Sequence, residues 1–146
     1  MILDHIEDPH NFGAIIRSAA AFGVDALFVH NHNQAGITPL VARTSVGGVF
    51  ACPIIPVKNI AELITQFKKH KIWVYGLSGS GKTAINTVDF LDDTALVVGN
   101  EGSGLRTLTE TLCDDLVSIP QSGNMESLNA SVAVGVALYQ AYIAKL

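Results

Sequence analysis

The sequence predicts an α/β protein whose six-stranded, mostly parallel sheet carries helices on both faces. Three observations support this fold class. Apolar runs of strand length alternate with helical patterns along the chain, turn residues separate the two, and the apolar runs show no period-two alternation. Strands without that alternation are buried on both faces, which is typical of parallel sheets connected through helices.

The first half of the chain is predicted to contain three strands and two helices. A short strand lies in MILDHI, and Asp8–Pro9 then turns the chain into a helix from about Asn11 to Phe22. Gly23 stands where a C-terminal glycine cap belongs, because glycine adopts a positive φ without a steric penalty. The remaining elements are a strand in DALFVHN, a short helix in ITPLVARTSVGGV and a strand in CPIIPV.

The second half is predicted to contain three further strands and three helices. NIAELITQFKKH is a helix because Ile60, Leu63, Ile64 and Phe67 recur at helical spacing. The other elements, in chain order, are strands in KIWVYGL and TALVVGN, a helix in LRTLTETLCD, a strand in DLVSIP and a long apolar helix in SLNASVAVGVALYQAYIAKL. Between the first two of these strands, AINTVDFLDD has room for one helical turn and lacks a helical stripe.

Composition favours a single domain, over residues 1–146, that associates with other subunits. Hydrophobic residues make up 49% of the 146 residues and charged residues only 15%, which leaves apolar surface for a subunit interface. No apolar run reaches the ~20 residues of a membrane span. The formal net charge of −4 argues against a large protein surface that binds nucleic acid without sequence preference. Cys52 and Cys113 form no metal-ligand pattern, so they are predicted to be reduced core thiols of a cytoplasmic protein.

The segment GLSGSGKT, from Gly76 to Thr83, matches the pattern of a phosphate-binding loop letter for letter. A nucleotide hydrolase would need a helix directly after this loop, and AINTVDFLDD does not predict one. It would also need a strand that ends in an aspartate to hold Mg²⁺, whereas ALVVGNE ends in Asn100 and Glu101. We therefore interpret this segment as a glycine-rich loop at the carboxyl end of a strand, with the nucleotide hydrolase as a minor alternative.

Two more glycine-bearing loops follow predicted strands, in VVGNEGSGL and in SIPQSGNMESLN. Because ligands of open α/β sheets bind outside the carboxyl ends of the strands, three such loops predict one cleft lined largely by main-chain groups. Such a cleft suits a small, polar, adenosine-like ligand. Lys82 and Arg106 are the only fixed positive charges expected nearby, which is too few to neutralise a triphosphate.

Three segments carry a family resemblance. DPHNFGAIIRSA, LVVGNEGSGL and SIPQSGNMESLNASVA resemble, in family order and spacing, the three motifs of the SpoU/TrmH branch of the SPOUT RNA methyltransferases. The match covers nearly the whole chain, from Ile2 to Tyr142. The resemblance implies transfer of methyl from S-adenosyl-L-methionine to a ribose 2′-OH in RNA without a metal. It points most closely to a guanosine of 23S rRNA, with methylation of a tRNA ribose as the alternative.

The resemblance also implies the residues of the site. The catalytic set comprises Asn11, Arg17, Glu101, Ser127 and Asn129. The cofactor-binding set comprises Leu77, Ser78, Gly99, Asn100, Gly102, Ile119, Pro120, Leu128 and Asn129. The family departs from this chain after Ile119–Pro120, where Gln121 replaces a residue that is often apolar.

Arg17 is the residue proposed in the family to activate the 2′-OH. A guanidinium keeps its proton at any physiological pH, so we favour a role in holding RNA phosphate and stabilising the developing alkoxide. Three of the five catalytic candidates have a structural alternative: Arg17 in a surface ion pair with Glu7 or Asp8, Glu101 as an acid at the entry of the 105–112 helix, and Ser127 as the N-cap of the last helix.

The resemblance further implies a C-terminal trefoil knot and a homodimer in which Arg17 reaches the partner's cleft. The face of the last helix formed by Val132, Val136, Tyr139 and Ile143 suits either that interface or the chain's own core. Relatives carry an N-terminal RNA-binding domain that is expected to be absent here, so weak RNA binding is expected of this single catalytic domain. A non-catalytic dimeric binding module with the same fold is the third interpretation.

Overall fold

The computed structural model describes residues 1–123 and 127–146 and shows a parallel sheet flanked by helices. The strands are β1 (Ile2–Leu3), β2 (Leu27–His30), β3 (Ile54–Val57), β4 (Trp73–Leu77), β5 (Thr83–Ala84), β6 (Thr94–Val98) and β7 (Asp115–Ser118). Their order across the sheet is β3-β2-β1-β6-β4-β7-β5, and each pairing is parallel. The helices are α1 (Pro9–Ala21), α2 (Pro39–Thr44), α3 (Ile60–Lys69), α4 (Thr107–Leu112) and α5 (Ala130–Ile143). The α/β class and parallel sheet are confirmed.

The prediction of six strands was wrong, because β5 was missed. This strand has only two residues, Thr83 and Ala84, which pair with Val117 and Ser118 at the end of β7. Two residues show no sequence period, so the tertiary pairing with β7 defines the strand. The hydroxyl of Thr83 also donates a 2.6 Å hydrogen bond to Asp115 Oδ2 on β7.

The sheet is apolar on both faces, as the runs without alternation predict. Ile2 and Val97 pack in a cluster with Ile60 and Ile64 of α3, on one face. Their chain neighbours Leu3 and Val98 point the other way and pack with residues of α1 and α5. Because neighbouring strand residues enter two different cores, no polar alternation can appear in β1 or β6.

Helix α1 begins at Pro9, two residues before the predicted start at Asn11. Asp8 is its N-cap, and Asp8 Oδ1 accepts hydrogen bonds from the N–H groups of His10 (2.7 Å) and Asn11 (3.3 Å). Proline suits the first helical position because its missing N–H would have no partner there. The predicted cap glycine, Gly23, has a φ of +67° and follows the end of the helix.

Helix α5 begins at Ala130, and its N-cap is Asn129, so the prediction of Ser127 as the cap was wrong. Asn129 Oδ1 accepts hydrogen bonds from the N–H groups of Ser131 (2.9 Å) and Val132 (3.4 Å). Both residue types cap helices well, so the sequence did not decide between them. Among the described residues, no helix is long and apolar enough to cross a membrane.

Candidate active site

The carboxyl ends of β4, β6 and β7 lie side by side. Leu77 pairs with Val98 of β6 and with Val117 of β7, and the Ser78 N–H donates to the Val117 carbonyl oxygen at 2.9 Å. The loops that follow these strands therefore start from one edge of the sheet, as the sequence predicts. This arrangement brings Leu77 and Ser78 next to the beginnings of the two other cofactor-loop candidates.

The loop after β6 is folded back on itself by Asn100. The backbones of Asn100 and Gly104 exchange hydrogen bonds of 3.0 and 2.9 Å. Asn100 Oδ1 also accepts from the N–H groups of Gly102 (2.9 Å) and Ser103 (3.2 Å). A Cβ on Gly99 would lie 2.2 Å from the Gly104 backbone, so only glycine fits there. The side chain of Asn100 thus shapes the loop, which leaves main-chain groups to meet a ligand.

The loop after β4 is not a nucleotide-binding loop, and this alternative was wrong. Thr83 begins β5 instead of a helix, and its hydroxyl already donates to Asp115. The loop crosses β7 closely, since a Cβ on Gly81 would lie 2.6 Å from the Leu116 carbonyl oxygen. Without a helix N-terminus or a free Thr hydroxyl, the loop cannot hold phosphates and Mg²⁺ in the required way.

Asn11, Glu101 and Asn129 form one hydrogen-bonded cluster that joins the three sequence segments. Asn129 Nδ2 donates to Asn11 Oδ1 at 3.0 Å, and Asn11 Nδ2 donates to Glu101 Oε1 at 3.3 Å. Glu101 further accepts from the backbone N–H groups of Asp8 (3.1 Å) and Glu7 (3.3 Å). The Asn11 side chain is buried. Glu101 is therefore not a helix-entry acid of α4, which begins only at Thr107.

Arg17 lies outside this cluster. Its side chain is exposed on α1, and no carboxylate in residues 1–123 or 127–146 lies within ion-pair distance of it. The proposed surface pair with Glu7 or Asp8 is thus not formed. The backbone of Arg17 packs against the turn after α2, where a Cβ on Gly48 would lie 3.3 Å from Arg17 Cα. With respect to residues 1–123 and 127–146, the guanidinium is available to meet a group from outside this chain.

The third loop is described in part, since residues 124–126 of the predicted motif lie outside the described residues. Ser127 and Leu128 are exposed, and Ser127 has no hydrogen bond to another described residue. Ile119 is half-buried and Pro120 is exposed at the end of β7. The structure therefore leaves these four candidates accessible beside Asn129 without fixing them to the cluster.

The role of Asp4, directly after β1, was not predicted from the sequence. Its buried carboxylate accepts from Arg106 Nε (3.0 Å) and Arg106 Nη2 (2.9 Å), and from the Thr109 hydroxyl (2.8 Å). Asp4 Oδ1 also lies 2.6 Å from His5 Nδ1. The charge of Arg106 is therefore paired and was wrongly counted as available to the cleft. An aspartate at the end of a buried strand was the available signal, because a buried carboxylate needs partners.

Both thiols are buried and free, as the sequence predicts. Burial, followed by the negative charge of Asp114, raises the pKa of the Cys113 thiol to about 12. Burial also raises the pKa of Cys52. Two uncharged thiols in apolar surroundings are poor nucleophiles and poor metal ligands. Among the described residues, no group of His, Cys, Asp or Glu could hold a metal ion.

A cavity of about 680 Å³ lies at the opposite edge of the sheet. Met1, Ala26 and Thr94, which stand at or next to the amino ends of three strands, contribute to its lining together with Phe22 and Tyr142. Its walls are mostly apolar, and the hydrogen-bonded cluster is not part of them. We locate the candidate site at the carboxyl edge because the convergent polar groups lie there.

These features define an α/β protein in which three loops converge at the carboxyl edge of a parallel sheet, where we locate the candidate site. The model of the SpoU rRNA Methylase family matches residues 1–139, and the chain belongs to that family. The 23S rRNA (guanosine-2′-O-)-methyltransferase RlmB of Xanthomonas campestris pv. campestris is 44% identical over 141 residues, which cover 97% of this chain and 57% of that protein. The enzyme of the same name from Haemophilus ducreyi is 44% identical over 147 residues, which cover 100% of this chain and 60% of that protein. The chain thus spans somewhat more than half the length of these relatives.

Solved structures show the same fold. The SpoU methyltransferase AviRb from Streptomyces viridochromogenes, in complex with the cofactor AdoMet, matches with a TM-score of 0.90 and 35% identity, over 97% of this chain and 56% of that one. The TrmH/SpoU tRNA modifying enzyme of A. aeolicus matches with a TM-score of 0.89 and 30% identity, over 99% of this chain and 73% of that one.

Proposed function

We propose that this chain is the catalytic unit of a methyltransferase that methylates the ribose 2′-OH of a guanosine in 23S rRNA, with S-adenosyl-L-methionine as donor. The observation that carries the proposal is the cluster of Asn11, Glu101 and Asn129, which ties the three family segments together at the edge where such sheets bind ligands. The relatives named as 23S rRNA enzymes are 44% identical over 97% to 100% of this chain. This similarity favours rRNA over the tRNA alternative.

The loops fit the proposed donor. Leu77, Ile119 and Leu128 supply apolar contacts, and Leu128 is 36% exposed. Gly102 is exposed, and a Cβ there would meet nothing closer than 3.5 Å, so its backbone can be approached closely. The remaining members of the proposed pocket are Ser78, Gly99, Asn100, Pro120 and Asn129. Main-chain groups with apolar walls suit an uncharged adenosine better than a phosphate chain.

S-adenosyl-L-methionine supplies a methyl group bonded to a positively charged sulfur, which is a good leaving group. The main tasks of this chain are therefore to align donor and acceptor and to remove the proton of the 2′-OH. Glu101 holds the Asn11 amide on one side, and Asn129 holds it on the other. We assign to Asn11 and Ser127 the orientation of the ribose. We assign to Arg17 the stabilisation of the alkoxide that develops as the 2′-OH gives its proton to solvent, the 2′-oxygen bonds to the methyl carbon, and the methyl carbon–sulfur bond breaks. The cluster needs no metal for this.

The proposed active form is a homodimer in which Arg17 acts in the partner's cleft. The α5 face formed by Val132, Val136, Tyr139 and Ile143 supports it, because these side chains are between 38% and 53% exposed. They are therefore not part of the chain's own core, which was the alternative explanation for that apolar face. An exposed apolar face of this kind marks an interaction surface.

We also propose that the C-terminal part of the chain is knotted. Strand β7 lies between β4 and β5, which are consecutive in the chain and joined by a single loop. That loop crosses β7, with Gly81 against the Leu116 carbonyl. A loop that packs closely across a later strand is compatible with threading of the chain, and it supports the trefoil knot implied by the family. We propose a cytoplasmic location, together with the rRNA substrate.

Methyl transfer from radiolabelled S-adenosyl-L-methionine tests this function. We expect label to enter unmodified 23S rRNA at one guanosine, mapped as a 2′-O-methyl by its block to alkaline cleavage. Unmodified tRNA is the matched substrate control. Label in tRNA alone would replace the proposed substrate, and calorimetry showing no donor binding would contradict the methyltransferase proposal.

A further inference from the structure

A second concave site lies at the same edge of the sheet, beside the catalytic cluster. It is a cavity of about 240 Å³, and its lining includes His30, Lys58, Ile60, Ala61, Arg106 and Leu108. His30 ends β2, and Lys58 follows the last residue of β3. Because all strands of the sheet are parallel, these residues face the same side of the molecule as the loops after β4, β6 and β7. No role for this cavity follows from the methyl-transfer site itself.

The lining of this cavity carries cationic side chains. Lys58, Arg106 and His30 line it, and none of the described lining residues is a carboxylate, although the charge of Arg106 is paired with the buried carboxylate of Asp4. Lys58 is exposed and has no partner within residues 1–123 and 127–146. Asp4 binds Arg106 through Nε and Nη2, which fixes the guanidinium plane and leaves Nη1 without a described acceptor. A planar guanidinium held in this way is preorganised to bind an oxyanion with its remaining donors.

Main-chain donors add to these side chains. Ile60 and Ala61 are the first residues of α3, and their N–H groups have no acceptor among the described residues. Asn59 caps the helix through a 3.1 Å hydrogen bond from the Glu62 N–H, so it does not satisfy those two donors. Uncapped N–H groups at a helix start favour an anion, and Ile60 and Ala61 both belong to the lining of this cavity.

A short series of contacts connects this cavity to the catalytic loops. The His30 ring stacks on the His5 ring, with centroids 4.5 Å apart. The His5 carbonyl oxygen accepts a 2.9 Å hydrogen bond from Asn100 Nδ2, and Asn100 shapes the loop that also carries Glu101. A ligand that spans both sites would thus lie along one continuous edge of the protein.

We propose that this cavity binds a phosphodiester group of the RNA, at a nucleotide near the one that is methylated. The inference rests on the proposed function, because that function brings an RNA chain to this edge. A chain with a net charge of −4 attracts RNA weakly overall, so a local group of donors has to position the backbone. Lys58 and His30 supply side-chain donors, Ile60 and Ala61 supply main-chain donors, and the exposed Leu108 offers an apolar contact for a sugar or base.

A matched pair of variants on one helix tests this site. Lys58→Gln removes a cation at the start of α3, and Lys69→Gln removes one from its far end. Binding of a short fluorescein-labelled oligouridylate, followed by anisotropy over a range of KCl concentrations, measures backbone contacts without sequence preference. We expect Lys58→Gln to weaken binding about three- to tenfold and to reduce the salt slope by about 0.7 to 1. We expect Lys69→Gln to match wild type, and both variants to keep wild-type affinity for S-adenosyl-L-methionine in calorimetry.

Equal effects of the two variants would overturn the site, and so would the absence of salt-dependent oligouridylate binding by the wild-type chain. Methyl-transfer assays on 23S rRNA separate this inference from the proposed function. An active enzyme in which Lys58→Gln and Lys69→Gln have the same KM for RNA contradicts the site alone. A chain that shows the expected Lys58-dependent binding but transfers no methyl contradicts the function alone.

Discussion

A single amide side chain, that of Asn129, caps helix α5 and binds Asn11 at the start of helix α1. Its Oδ1 accepts from the Ser131 and Val132 N–H groups, and its Nδ2 donates to Asn11 Oδ1, 118 positions away in the chain. The direction of these bonds is fixed, because Glu101 can only accept when it is ionised and so faces the amide nitrogen of Asn11. The helix start and the candidate active site therefore depend on the same side chain.

Replacement of Asn129 can separate these two tasks. In the Asn129→Asp variant the N-cap is kept, because Asp and Asn cap helices equally well. The donor to Asn11 is lost, and the Asn11 amide then lies between two carboxylates, that of Glu101 and the new one at position 129. Whichever way this amide is rotated, its oxygen faces one of them. We expect the free energy of unfolding to stay within about 1 kcal/mol of wild type, while methyl transfer falls about 100-fold.

The matched control is Asn129→Ala, which loses both the cap and the donor. We expect it to lower the free energy of unfolding by about 1–2 kcal/mol and to lose activity to the same extent as Asn129→Asp. Urea unfolding and initial rates on 23S rRNA measure the two effects. Wild-type activity in Asn129→Asp would show that the bond to Asn11 is not part of the catalytic arrangement.

Arg17 gives a test of the dimer as well as of the chemistry. Its side chain is exposed and has no ion pair among the described residues, so Arg17→Ala should change the free energy of unfolding by less than about 0.5 kcal/mol. We expect its methyl transfer to be abolished. This combination distinguishes an enzyme from a non-catalytic binding module of the same fold, in which the substitution would cost nothing measurable.

Coexpression of Arg17→Ala with Asn129→Asp subunits then tests where Arg17 acts. In a mixed dimer, one cleft would combine an intact Asn129 with Arg17 from the other subunit. Random pairing should restore about a quarter of wild-type activity from two inactive chains. If Arg17 acts within its own subunit, the mixture stays inactive.

Two glycines of the loop after β6 are expected to have different roles. Gly99 is needed for the fold of the loop, and Gly102 is needed for binding of the ligand. A Cβ on Gly99 would lie 2.2 Å from the Gly104 backbone, whereas on Gly102 the nearest atom is Asn100 Oδ1 at 3.5 Å. We expect Gly99→Ala to destabilise the chain by more than about 2 kcal/mol, and Gly102→Ala to leave stability within about 1 kcal/mol. In calorimetry, we expect Gly102→Ala to bind S-adenosyl-L-methionine at least about tenfold more weakly, because its backbone can no longer be approached closely. Unchanged donor affinity would remove Gly102 from the proposed pocket.

The sequence predicted the features that depend on local pattern and missed those that depend on distant pairing. The apolar runs located the six strands other than β5, and the glycine-bearing loops were correctly expected at one edge of the sheet. The bonds of Asp4 to Arg106 and Thr109 span more than 100 positions, so the local pattern indicates at most that a buried aspartate needs partners, and not which residues they are. β5 exists only through its pairing with β7, and either Ser127 or Asn129 could have capped α5. The three hydrogen bonds that Glu101 accepts could not be predicted from a local pattern either, although the family resemblance had named that residue.

The buried thiol of Cys113 predicts how stability changes in alkaline solution. Its pKa is about 12 in the folded chain, against 9.0 for an unperturbed thiol, so the unfolded chain loses this proton first as pH rises. The folded state then binds more protons than the unfolded state, and the free energy of unfolding falls as pH rises above about 9. Burial also raises the pKa of Tyr75 and Cys52, which adds a decrease of the same sign.

The Cys113→Ala variant isolates the contribution of Cys113, because only that thiol is removed. We expect urea unfolding between pH 8 and about pH 10 to show a shallower decline for Cys113→Ala than for wild type. Parallel declines would mean that Cys113 ionises equally well in both states, and rapid reaction of the native thiol with iodoacetamide would support the same conclusion.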